Sequence, residues 1–139
     1  MSTSASTMKG LVEEHLAREA AGDSAGAVAV YTEDVEHDVV GSPMGVLAGP
    51  AAAQVFYDHL ISDLKIDDMR CVREWYGEDF TVMEHAVAAT VVGTFMGIPG
   101  HGKSVQFRML HVWDFQGDKI SRENVWLDGA AIAGQLTGS

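Results

Sequence analysis

The chain is 139 residues long, with 20 acidic and 9 basic side chains and a formal charge of −11 with its histidines neutral. That length supplies one domain with a core large enough to enclose a pocket, and the acidic balance, without any Lys/Arg cluster, excludes a nucleic-acid partner held through its phosphates. No apolar run approaches the ~20 residues of a membrane helix, and the single cysteine, Cys71, forbids an internal disulfide, reads as a buried strand residue and fits a cytoplasmic location.

Residues 1–7 are rich in Ser, Thr and Ala with no apolar core or basic lead, so they read as a disordered tail and not as a signal peptide, ahead of a single domain over 8–139. Over 8–21, Met8, Leu11, Val12, His15 and Leu16 recur at helical spacing, with Glu13, Glu14, Arg18 and Glu19 on the other face. Gly22-Asp23-Ser24 then supplies a terminating glycine and an N-cap for a short second helix over 25–31. A strand follows over 35–40, with Val35, His37 and Val39 on one face and Glu36, Asp38 and Val40 on the other, and alternation does not say which face is buried. Beyond the loop 41–49, Pro50 opens a third helix with Ala53, Phe56, Tyr57, Leu60 and Leu64 as its apolar stripe. Four β-rich stretches, 66–76, 80–96, 104–115 and 119–127, complete an antiparallel meander. Helices first and a sheet second make an α+β fold with the helices covering one sheet face.

One motif match is rejected. The segment GIPGHGKS over 97–104 satisfies the phosphate-loop pattern, whose chemistry needs a helix immediately afterwards to present amides to the phosphates. Val105, Phe107, Met109, His111, Trp113 and Phe115 alternate with Gln106, Arg108, Leu110, Val112 and Asp114 instead, which is strand periodicity, and 97–104 reads as a glycine-rich hairpin loop.

None of the six histidines forms an H-E-x-x-H or H-x-H arrangement, so a metal site has no local support and no metal is expected. His59 and His101 read as solvated; His37 and His85 read as satisfied strand histidines. His15 and His111 stand among large apolar neighbours, where each either hydrogen-bonds a core carbonyl or, if both point into one interior, polarises a ligand oxygen. Asp38 and Glu123 are the carboxylates to weigh. On a wet face neither does anything, whereas in a pocket desolvation raises the carboxyl pKa toward that of a useful base.

Ala21-Gly22-Asp23, the Tyr31-Thr32-Glu33-Asp34-Val35 segment eight residues on, and Asp38-Val39-Val40-Gly41 fall in a telling order. With the hairpin GTFMGIPGHGK over 93–103, FRMLHVWDF over 107–115 and GDKISRENVWLD over 117–128, they resemble the nuclear-transport-factor-2-like superfamily, in its SnoaL-like polyketide cyclase and ketosteroid isomerase-like branches. The resemblance implies a cone-shaped, curved antiparallel sheet wrapped around N-terminal helices, also called cystatin-like. It places the isomerase's base on Asp38 and its two enolate donors on His15 and His111, both imidazoles here. The cyclase branch again puts a substrate-contacting histidine at His111, its catalytic aspartate at Val125 and the neighbouring histidine at Glu123. It further implies a cofactor-free isomerase, cyclase or dehydratase acting on an apolar carbonyl compound, and a homodimer formed through the sheet face. Tyr31, Phe56, Tyr57, Met109, Trp113 and Glu123 are the expected substrate contacts. The alternative is a binding module of the same fold that holds an apolar small molecule without chemistry.

Overall fold

The computed structural model describes residues 2–138; Met1 and Ser139, the outer ends of the expected tail and domain, lie outside the described residues. Three helices, α1 (Ala5–Ala20), α2 (Ser24–Val28) and α3 (Pro50–Asp63), pack against a bent sheet. Its strands are β1 (Tyr31–Val39), β2 (Val46–Ala48), β3 (Leu64–Tyr76), β4 (Phe80–Val91), β7 (Lys103–Gln116) and β8 (Lys119–Leu127). Between β4 and β7 a small hairpin, β5 (Thr94–Phe95) and β6 (Ile98–Pro99), projects separately, and α4 (Gly129–Leu136) ends the fold. The sheet order is β2-β1-β8-β7-β4-β3 and the sheet is open. This is the expected α+β cone, and no described helix is long and apolar enough to cross a membrane.

Several expectations need correction. The disordered tail does not hold from Thr3 onward. Thr3 is buried, its Oγ1 donates to Gly117 O at 2.7 Å and its N–H to Asp79 Oδ1 at 2.7 Å, so two distant turns order a segment with no apolar signal of its own. Ser4 then caps α1 by accepting from Thr7 N–H at 3.1 Å. The sheet is not wholly antiparallel, because β1 runs parallel to β8. This pairing recruits Tyr31 into a strand, where local spacing extended the second helix over it. The stretch over 80–96 breaks at Val91, where Val92 and Gly93 donate backbone N–H groups to Asp63 O. Cys71 is exposed on β3, not buried. The helix α4 was not legible as one, being Gly/Ala-rich with only Ile132 and Leu136 buried; Asp128 caps it by accepting from Ala131 N–H at 3.0 Å. Segment 97–104 runs into β7, a strand, and Lys103 Nζ donates to Leu136 O at 3.3 Å.

Bulges give the sheet its curvature and place the site. Strand β3 carries an extra residue against β4 at two points, between Ile66 and Asp68 and between Cys71 and Arg73. On β8 the register against β7 slips between Arg122 and Ile120, so that Ile120 and Glu123, which plain alternation puts on opposite faces, are both buried.

Candidate active site

The inward faces of β1, β7 and β8 meet α1 and α3 around one carboxylate. Glu123 on β8 is 1% exposed. Tyr31 Oη donates to its Oε1 at 2.7 Å and Tyr57 Oη to its Oε2 at 3.2 Å. From α1, His15 donates through Nδ1 to Ala27 O at 2.7 Å and sets Nε2 3.2 Å from Glu123 Oε1. His111 Nε2 and His37 Nε2 stand 3.5 and 3.8 Å from Oε2, distances too long for strong hydrogen bonds. His37 Nε2 donates instead to Tyr57 Oη at 3.0 Å. The Nδ1 atoms of His37 and His111 are buried without a partner among the described residues.

Burial alone would strip His15 of its proton, but the Glu123 carboxylate outweighs it, with help from Glu19 and the Ala27 carbonyl, and the imidazole is pushed up to about 9. Burial likewise opposes charge on Glu123, yet cationic His15 and the N–H groups around it hold this carboxyl well below the usual range. The pair is therefore an imidazolium and a carboxylate at neutral pH. Burial, and then the Glu123 charge, push Tyr31 and Tyr57 well above the ordinary phenol range, so both remain donors. His37 is lowered, first by burial against the pull of Glu123, and so is neutral.

A cavity of about 650 Å³ opens from this cluster. Glu19, His37, Tyr57, His111 and Glu123 form its polar end; Phe56, Leu60, Ile66, Phe95, Phe107, Met109 and Leu127 line its body. It reaches the surface beside Met44 and Met96, both exposed. Apolar walls with a few convergent polar groups are the general form of a small-molecule site. Among the described residues no group of three or more His, Cys, Asp or Glu is placed to hold a metal ion.

The expected residues divide. Phe56, Tyr57, Met109, His111 and Glu123 line the cavity; His15 and Tyr31 stand behind it, joined to Glu123. Trp113 is fully buried and stacks on His111, ring centroids 4.3 Å apart and planes 5° from parallel. Asp38 is a correction. Its strand turns Val35 and His37 inward, so Asp38 faces away from the cavity, accepting from Asn124 Nδ2 at 3.1 Å beside Arg122. The cavity carboxylate on the sheet is Glu123. Sequence reasoning missed two residues: His37, read as a satisfied strand histidine, and Glu19, assigned to the outer face of α1. The available signal for Glu19 was its position four residues after His15, which places both on one side of the helix.

The sequence profile of the SnoaL-like polyketide cyclase family matches residues 12–136, and the chain belongs to that family. Among solved structures, TsrD from Streptomyces laurentii superposes with a TM-score of 0.84 at 16% identity, covering 99% of each chain. A candidate polyketide cyclase from Xanthomonas campestris pv. campestris gives 0.80 at 19% identity, covering 94% of this chain and 97% of that one. An LEH-like epoxide hydrolase from M. tuberculosis gives 0.71 at 15%, covering 92% of this chain and 87% of that one. At these identities the likeness is one of fold, and the fold carries more than one chemistry. Comparison with curated proteins returned no match.

Proposed function

We propose that this protein is a cofactor-independent enzyme that moves a proton on a neutral, apolar carbonyl compound, in a reaction of the isomerase, polyketide cyclase or dehydratase type. The observation that carries it is the apolar cavity closed at one end by the buried Glu123 cluster, with His37, Tyr57 and His111 lining the same end. The ligand's carbon skeleton occupies the apolar body and its oxygen meets the polar end. His111, whose contact with Glu123 is long and whose Nε2 makes no other hydrogen bond among the described residues, is the group able to turn to that oxygen. The positive charge on His15, held behind it in a dry setting, offsets negative charge that develops on the oxygen as the proton leaves carbon. Two carboxyl groups and one imidazolium at the polar end disfavour an anionic head group, hence a neutral ligand.

The test uses 2-tetralone, a bicyclic ketone with activated C–H bonds, and 2-naphthol, which mimics its enol. Purified protein is expected to bind 2-naphthol by fluorescence titration and to accelerate deuterium uptake by 2-tetralone in D2O, read by mass spectrometry. Binding without accelerated uptake replaces the enzyme with the non-catalytic binding module, for which the full set of donors already engaged on Glu123 speaks. The proposal extends to a homodimer through the outer sheet face, where Leu110 and Trp126 lie opposite each other and exposed. Sedimentation equilibrium of the wild type against Trp126→Lys tests that association.

A further inference from the structure

The proton-transfer reading leaves open which carboxyl group carries the proton, and the two at the cavity's polar end are not equivalent. Glu123 is saturated: two phenol hydroxyls and the His15 imidazolium lie within 3.2 Å of its oxygens. To accept a proton it would have to give up the His15 charge pair that its own ionisation sustains. Glu19 differs in every respect. It lines the same cavity, yet its carboxyl makes no hydrogen bond among the described residues, and its ion-pair contact is with His15 Nε2 at 3.7 Å. It sits on α1 one turn beyond His15, with its side chain 11% exposed, so it is sheltered without being sealed.

We propose that Glu19 is the catalytic residue that takes the proton from carbon and returns it, while Glu123 is a positioning residue that holds His15, Tyr31 and Tyr57 in place. The inference rests on the proton-transfer reading above. In the forward step the Glu19 carboxylate takes the hydrogen from the carbon beside the carbonyl. The C–H electron pair becomes the C=C bond of the enolate, and the carbonyl π pair moves onto oxygen. In the return step the Glu19 carboxylic acid delivers to carbon that proton, or the solvent deuteron that has replaced it, the C=C pair forms the new bond to hydrogen, and the carbonyl is restored.

Electrostatics support the division. Groups facing Glu19 are His15 on its own helix, Glu123 on β8, and the phenols of Tyr31 on β1 and Tyr57 on α3. Burial raises Glu19 most, His15 pulls it down and Glu123 pushes it up again, leaving it at about 7. A base near the working pH is both available as the anion and strong enough to act, whereas a carboxyl held far below neutrality is a weak one. Two carboxyl groups driven apart by their settings define separate roles.

The experiment compares wild type, Glu19→Gln and Glu19→Asp in the full chain. Glu19→Gln is expected to lower 2-tetralone deuterium uptake by about 10²-fold or more, the usual contribution of a positioned acid or base, with 2-naphthol affinity within about threefold. Glu19→Asp recovers part of the loss, and in the wild type uptake rises with pH through neutrality with an apparent midpoint near 7. Uptake in Glu19→Gln equal to wild type overturns the proposal. A second readout is the infrared band of the protonated carboxyl, assigned by its loss in Glu19→Gln. It is expected to titrate near neutrality and to change when 2-naphthol binds. If the wild type fails to exchange 2-tetralone, the carbonyl reading fails by itself. A responsive band then keeps Glu19 as the cavity's proton-exchanging group, and an unresponsive band removes it.

Discussion

Replacing Glu123 by Gln removes one charge and keeps the volume, so it isolates what the buried carboxylate does. Its largest consequence falls on His15, whose imidazole is pushed up to about 9 because Glu123 overrides burial. Raising a histidine from 6.5 to about 9 corresponds to about 3 kcal/mol. The sign is that of a raised group: this stability is fully present below pH 6.5 and is lost as pH rises through 9. At pH 7, where an unfolded imidazole is already partly charged, most of it, about 2–3 kcal/mol, is expressed. Breaking a buried pair by removing one partner costs about 3–5 kcal/mol elsewhere, and Gln retains an acceptor for Tyr31, so a loss of about 2–3 kcal/mol is expected at pH 7. Urea denaturation at pH 7 measures it as a fall in midpoint at constant slope, and the loss should shrink toward pH 10. Ring NMR of His15 supplies the independent observable, its proton lost well below pH 9 in the variant. A variant within about 1 kcal/mol of wild type whose His15 is still cationic at pH 8 would refute this account of the cluster.

Three further outcomes follow from the same geometry. Asp38→Asn should leave 2-naphthol affinity and 2-tetralone uptake within about twofold of wild type and cost no more than about 1 kcal/mol, since it breaks only a half-exposed contact with Asn124 and Arg122; a large loss of uptake would restore Asp38 as the base. Met109→Trp fills part of the cavity body without touching the polar end, so fluorescence titration should show at least a tenfold loss of 2-naphthol affinity, about 1.4 kcal/mol. Glu19 is also a raised group, so its contribution to stability is present below pH 4.5 and lost as pH rises through 7. Relative to wild type, Glu19→Gln should therefore gain about 2–3 kcal/mol in urea midpoints between pH 4.5 and pH 8, and parallel pH curves for the two proteins would show that Glu19 is not a desolvated carboxyl.

Element type was largely legible along the chain because it is set locally. The stripe Met8, Val12 and His15 made α1, Ala53 and Tyr57 made α3, and strict alternation from Val105 to Phe115 made β7 a strand and disposed of the phosphate-loop match. Burial of His15 and His111 was legible for the same reason, since their positions belong to those periodic faces. The pairing of β1 with β8, the burial of Thr3 and the docking of α4 were not, because each depends on a partner distant in the chain.

The site shows the same boundary more sharply. Period-two alternation names two faces of a strand and is silent about which one the helices cover, so Asp38 stood as the candidate and His37 as a mere strand histidine until β1 was packed, when His37 went in and Asp38 out. A register slip of one residue on β8 then set Glu123 inside. Composition and spacing determined that this protein has an apolar interior with acidic and imidazole groups available to it. Only the tertiary structure decided which carboxyl groups share that interior and how differently they hold a proton, because burial and the distance to a neighbouring charge are properties of the packed chain.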